Sequence, residues 1–217
     1  SGTAIAERKI IMKLGKFKKL TAALAVCAVM ASALPVVPNM VSAASNIISN
    51  STFDSGITGW STYKESGGVC SLSTENGCLA LTVSNVGKVN YAVQVFYDIV
   101  PLYQNGVYRL KYDISSSTDR YIEGMIQQNG GTYQAYTWKG LELTSVPQTV
   151  DYEFTMKAET DIMSKLVFNC GIQEKHEGVL PEHKIYIDNV SLELVDDSKV
   201  DYSATRPYEP PIVTNQV

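Results

Sequence analysis

Period-two alternation of apolar and polar positions runs through most of the chain after its first forty residues. In "VDYEFTM", Val150, Tyr152, Phe154 and Met156 share one side, and Asp151, Glu153 and Thr155 share the other. "VYRLKYDI" repeats the pattern, with Tyr108, Leu110, Tyr112 and Ile114 opposite Arg109, Lys111 and Asp113. One apolar face at period two predicts half-buried β-strands. The same reasoning predicts strands over residues 78–83, 91–100, 121–128, 165–169 and 184–194. Turn chemistry separates them: Asn105-Gly106, residues 116–119, Asn129-Gly130-Gly131, and Gly178 with Pro181. Outside the N-terminal segment no long stretch has a 3.6-residue period. Many short strands with regular turn punctuation predict an all-β fold, a β-sandwich or jelly roll of antiparallel sheets.

One strand changes phase. In "KIYIDNVSLEL", Ile185 and Ile187 alternate on odd positions, then Val190, Leu192 and Leu194 on even ones. A β-bulge at Asp188-Asn189 would absorb the extra residue and re-aim the Asp188 carboxylate.

The first forty residues follow a different rule. Met12 opens a segment with Lys13, Lys16, Lys18 and Lys19, an apolar run from Leu20 to Leu34, and small residues at Val41-Ser42-Ala43. These are the parts of a secretory signal peptide, predicted over 12–43, with residues 1–11 upstream of it. The apolar run is short for a membrane span, and no stop-transfer pattern follows. Cys27 preceded by Val26 fits a lipoprotein signal poorly. At the other end, residues 196–217 are polar and carry Pro207, Pro210 and Pro211, the composition of a linker. One domain over 44–195 remains, long enough for a sizeable core.

From Ala44 onward the chain has 12 Lys and Arg against 21 Asp and Glu, a balance of −9. Such a surface repels nucleic acid and anionic membranes, and it presents no barrier to a neutral polymer. Export permits disulfides. Cys70 and Cys78 flank a segment with Glu75-Asn76-Gly77 turn chemistry, which allows them to face each other across a hairpin. Cys170 is expected as a buried, free small hydrophobe. No Cys/His cluster with metal-ligand spacing occurs. His176 and His183 are expected in a surface loop.

"SNSTFDSGITGW" at 49–60, "QQNGGTY" at 127–133 and "YIDNVSLEL" at 186–194 stand in order at fitting spacing. Together they resemble the family 4 carbohydrate-binding modules, over about residues 46–194. The resemblance implies a jelly-roll β-sandwich with a cleft on its concave sheet. It also implies non-catalytic binding of single β-glucan chains, such as amorphous cellulose, cello-oligosaccharides or mixed-linkage β-glucan. Xylan or β-1,3-glucan are alternative ligands. "PPIVTNQV" at the C-terminal end looks like the start of the immunoglobulin-like domain that precedes family 9 glycoside hydrolase catalytic domains. The partners implied are therefore a β-glucan polysaccharide and a tethered cellulase catalytic domain, for a secreted, monomeric module.

A glucan ribbon offers flat CH faces to aromatic rings, and hydroxyls to amides and carboxylates. By resemblance Trp60 is a framework residue of the sandwich edge, whereas Tyr63 matches a cleft aromatic. Tyr91 matches a platform position. Gln94, Phe96 and Asp98 share the non-core face of one strand, and Glu123 and Gln127 that of another. Asn129 and Tyr133 match cleft residues; Gln128 belongs to the same cleft segment. Tyr136 and Trp138 extend the aromatic set. Asn169 replaces a family Gln, and Glu123 replaces a basic residue of some relatives. Where some members carry a last-strand cysteine for a disulfide, this chain has Tyr186. Asp54 and Asp188 resemble the carboxylates that hold a structural Ca²⁺, an ion suited to hard oxygen ligands. A glycoside hydrolase would need two carboxylates across the cleft, for which Asp98 and Glu123 are the candidates. A protein-interaction sandwich is the third class of function.

Overall fold

The computed structural model describes residues 45–173 and 180–203. The expected signal peptide, the residues before it, His176 and the tail from 204 onward lie outside the described residues. Ten strands and no helix are found among the described residues. They are β1 (Trp60–Lys64), β2 (Gly68–Glu75), β3 (Cys78–Val86), β4 (Val93–Leu102), β5 (Val107–Ser116), β6 (Arg120–Gln127), β7 (Ala135–Leu143), β8 (Gln148–Thr155), β9 (Asp161–Asn169) and β10 (His183–Asp196). They pair into two antiparallel five-stranded sheets, ordered β1-β4-β9-β6-β7 and β2-β3-β10-β5-β8. Each sheet turns its apolar phase inward. Val95, Ile122, Ile126, Leu166 and Phe168 of the first meet Leu79, Leu81, Leu110, Tyr112, Ile114, Ile185 and Ile187 of the second in one core. Tyr112 and Phe168 make an edge-to-face contact between the sheets, with ring centroids 5.1 Å apart. This is the all-β jelly-roll sandwich that the alternation predicts.

The phase change in the last strand is a bulge. The β10–β5 register shifts between Asp188 and Ser191, and Asn189 takes a positive φ of 51°. The N-terminal segment docks at this bulge, where Val190 N donates to Ser51 O and Ile47 N to Leu192 O. Asn46 Oδ1 accepts from Leu192 N, so the segment from Asn46 to Ser51 continues the hydrogen bonding of β10.

Three features differ from the expectations. The strands β2 and β7 are not announced by alternation, because each is an edge strand with few buried side chains: β2 buries only Cys70, and β7, reading "AYTWKGLEL", only Leu141 and Leu143. The expected Cys70–Cys78 disulfide is absent, and both thiols are free. The hairpin turn fixes a register in which Cys78 opposes Glu75 while Cys70 opposes Val83. Five residues of strand therefore separate the two cysteines, about 16 Å at strand rise, far beyond disulfide reach. Cys170 is free and buried as expected, and desolvation pushes its thiol up to about 12.

His183 is the third. It opens β10 at 3% exposure instead of lying on a surface loop. Arg120 of β6, itself buried, donates from Nη1 to His183 Nε2 and from Nη2 to the carbonyls of Cys170 and Gly171. With Nε2 accepting, the imidazole carries its proton on Nδ1 and donates to Pro181 O at 2.7 Å. The pair ties one sheet to the other.

Candidate functional site

Strand register in the first sheet aligns side chains into rows that cross all five strands. One row runs Tyr63, Gln94, Asn169, Glu123 and Gly140, from β1 through β4, β9 and β6 to β7. The next row on the same face, two residues along each strand, runs Ser61, Phe96, Val167, Met125 and Trp138. A third contains Lys165 paired with Gln127. Rows with the intervening phase, such as Thr62, Val95, Phe168 and Gly124, belong to the interior. The outer face is thus a polar band, an apolar band and a second polar band, about 7 Å apart by strand geometry.

The first polar band is wired. Gln94 Nε2 donates to Asn169 Oδ1 at 2.8 Å, and Asn169 Nδ2 donates to Glu123 Oε2 at 3.2 Å. Asn90 Nδ2 donates to the same carboxylate oxygen at 2.9 Å. Gln94 and Asn169 are buried, so their amides are held in one orientation. Among the described residues no hydrogen bond engages Gln94 Oε1 or Glu123 Oε1, so both oxygens keep accepting capacity on the outer face.

Exposed rings stand around this floor. Tyr63 is 45% exposed and donates to Glu65 Oε2 at 2.6 Å. That hydrogen bond is the main cause of its raised phenol pKa; burial, the Glu65 charge and the neighbouring Tyr133 and Tyr91 phenols add to it. Tyr91 and Tyr133 thus lie near enough to act on the Tyr63 phenol. Tyr133 sits in the β6–β7 loop at a positive φ of 54°, a backbone that few aromatic residues adopt without a structural demand. Trp138, 52% exposed, ends the apolar band at the far edge. Tyr121 reaches over Gly140: a Cβ at Gly140 would collide with the Tyr121 hydroxyl oxygen, so the tyrosine can lie there only over a glycine.

Most sequence-predicted residues share this face. Tyr63, Gln94, Glu123 and Asn169 form the polar row, and Tyr91 precedes β4 beside it. In the β6–β7 loop Asn129 Nδ2 donates to Asp98 Oδ1 at 3.0 Å, which joins loop and strand. Two residues sit elsewhere. Gln128 braces the loop, accepting from Thr132 Oγ1, and its neighbour Gln127 occupies the floor. Tyr136 is the extra residue of a β6–β7 bulge between Ile126 and Gln127, which takes its ring off the outer-face rows and packs it against the core. Its hydroxyl donates to Asp161 Oδ2 at 2.7 Å. Sequence reasoning did not select Tyr121, Met125, Val167 or Lys165. Their strand phase matches that of Glu123 and Asn169, and phase was the signal that could have found them.

On the other sheet, Asp188 opposes Asp113 in register beside the bulge. Asp188 Oδ1 is buried with no hydrogen-bond partner among the described residues. Burial raises the Asp188 carboxyl pKa, a hydrogen bond from the Asn189 backbone opposes this, and the nearby Asp113 and Asp54 charges add to the rise. Asp54 Oδ2 accepts from Thr52 Oγ1 at 2.7 Å. Among the described residues no three His, Cys, Asp or Glu side chains converge as a metal centre.

The family model for a carbohydrate binding domain matches residues 45–176. The chain belongs to the family 4 carbohydrate-binding modules. The module is 33% identical over 115 residues to endoglucanase C of Cellulomonas fimi, a match covering 53% of this chain and 10% of that protein. It is 30% identical over 153 residues to the cellulose 1,4-beta-cellobiosidase of Acetivibrio thermocellus, covering 65% of this chain and 17% of that protein. The chain therefore matches only a small part of the length of these relatives. Among solved structures, the N-terminal cellulose-binding domain of Cellulomonas fimi β-1,4-glucanase C superposes with a TM-score of 0.54 at 29% identity, covering 70% of this chain and 97% of that domain. A further family 4 module structure superposes at a TM-score of 0.60 with 22% identity, covering 67% of this chain and 98% of that one, a likeness of fold. Membership makes this domain a polysaccharide-binding module and not itself an enzyme.

Proposed function

We propose that the groove on the first sheet binds single β-glucan chains: amorphous cellulose, cello-oligosaccharides or mixed-linkage β-glucan. One observation carries the reading. A wired row of amides and a carboxylate lies beside an apolar band, with exposed tyrosines and a tryptophan around them. Acceptor oxygens suit equatorial hydroxyls, and rings suit the flat CH faces of glucose units. Tyr63, Tyr91, Tyr133 and Trp138 stack on the sugar; Gln94, Asn169, Glu123, Asp98 and Asn129 bond its hydroxyls. The relatives are a glucanase and a cellobiosidase, which supports a β-1,4-linked glucan over xylan. Affinity electrophoresis against hydroxyethylcellulose, barley β-glucan, laminarin and xylan tests it. Strong retardation by the first two is expected; retardation by xylan or laminarin alone would replace the ligand, and none by any would remove the reading.

The same proposal makes the module, over 44–195, a secreted targeting domain tethered to a glycoside hydrolase, raising the enzyme's local substrate concentration. It includes a structural Ca²⁺ at Asp188 and Asp54, with backbone carbonyls completing an oxygen shell. The partnerless Asp188 Oδ1, held close to two other carboxylates, supports that site. Calcium bound only to the folded state raises the melting temperature with ion concentration. Identical melting curves in calcium and in chelator would remove the ion from the account.

A further inference from the structure

Lys165 occupies an unusual place for a lysine. It lies in β9, the central strand of the first sheet, on the groove face two residues from Val167 and four from Asn169. Its side chain is only 8% exposed. The ammonium rests 5.1 Å from the centre of the Phe96 ring and 5.7 Å from that of Tyr133. It makes no hydrogen bond or ion pair with any described residue. Asp98 is near enough to favour its charge but beyond ion-pair distance, and burial, the larger effect, lowers its pKa from the ordinary lysine range. A buried charge is costly unless hydrogen-bonded or paired. Two aromatic rings offset part of that cost through their π faces and leave the three N–H donors unused.

The donors have a direction. The floor around Asn169 presents acceptors, Gln94 Oε1 and Glu123 Oε1. Four residues along the same strand, about 13 Å away, Lys165 presents donors. A glycan chain crossing the floor offers hydroxyls, which donate and accept, and ring and bridging oxygens, which only accept. We propose that Lys165 is a specificity-determining residue of the groove, whose ammonium is held for acceptor oxygens of a neutral glycan at the expense of the free domain's stability. The inference rests on the groove being the glycan site. Asp98 and Glu123 on the same face disfavour an anionic sugar, so the partner is an uncharged chain. Contact with Phe96 and Tyr133 also places the charge beside the rings that would cover the sugar's CH faces.

The test compares the parent with Lys165→Met, which keeps the stem's bulk and removes the charge, and with Lys165→Gln, which keeps a neutral donor. Affinity for barley β-glucan and hydroxyethylcellulose is measured with the melting temperature of each protein. Loss of a charged hydrogen bond in a binding site corresponds to about a 10- to 100-fold drop in affinity. The expected result is that drop for Lys165→Met with an equal or higher melting temperature, and an intermediate affinity for Lys165→Gln. Affinity and melting temperature falling together would make Lys165 a structural residue and overturn the proposal. A parent that no glucan retards removes the groove reading and this one with it. A retarded parent whose Lys165→Met variant is retarded equally removes only the role of Lys165.

Discussion

Trp60 is sealed at 4% exposure between Phe53 and Tyr97, with its ring centroid 5.5 Å from each, and its indole Nε1 donates to Asn50 O at 3.0 Å. Tyr63, three residues on, has the opposite strand phase and points to the groove. Removing the Trp60 ring opens a cavity and orphans a carbonyl, so Trp60→Ala is expected to cost about 3–5 kcal/mol of stability. Tyr63→Ala leaves the fold within about 0.5 kcal/mol of the parent. It should weaken glucan binding roughly ten-fold, the scale of one ring contact. Thermal melts and glucan titrations of the two variants check the division. A Tyr63→Ala protein that melts far lower and binds like the parent would mean that the residue belongs to the frame.

At the scale of elements, the inward phase of β5, β6, β8 and β10 could be read from alternation alone, and so could the bulge at Asp188-Asn189; in β4 alternation places Val93, Val95 and Ile99 inward, but a register shift after Tyr97 leaves Ile99 60% exposed and turns Val100 into the core instead. Burial on one face imposes a period of two, and a bulge interrupts it by one residue. What alternation hides is pairing. Cys70 and Cys78 suited a disulfide in sequence, and only the hairpin register separates them. Tyr136 carried the aromatic character of a groove residue, and a bulge in β7 turned it inward. Lys165 lies in a strand buried on both faces, where a charged residue reads as a break in the pattern rather than a site. His183 stood near Gly178 and Pro181, which suggested a loop, yet β10 begins at it and Arg120 of β6 seizes its ring. Its pKa is lowered mainly by burial and further by Arg120, against the contact with Pro181 O. The folded protein thus holds the neutral imidazole more strongly than the unfolded chain does. That stabilisation is present above the unfolded value, near 6.5, and is lost as pH falls through the folded value. The melting temperature is expected to decline as pH drops below about 6.5, and less so in His183→Gln; parallel profiles for parent and variant would dissociate His183 from the acid response.

For the whole molecule, the two sheets divide the work. The second sheet carries the bulge, the docked N-terminal segment and the carboxylates around Asp188. The outer face of the first carries rings, wired amides and Lys165, on strands whose other phase builds the core. Of the residues proposed to bind glucan, Tyr63, Gln94, Glu123 and Asn169 stand on strands, a placement that keeps ordering costs small. Arg120 of β6 joins the start of β10, the central strand of the second sheet, to the Cys170 and Gly171 carbonyls just past the end of β9. The central claim is that glucan binds across the outer face of β1, β4, β9 and β6. Backbone amide chemical shifts recorded while a cello-oligosaccharide is titrated into the labelled module test it most directly. The account predicts progressive shifts centred on Tyr63, Gln94, Phe96, Glu123, Lys165 and Asn169, with β3, β5 and β8 unmoved. Shifts confined to the second sheet, or none at saturating sugar, would contradict it.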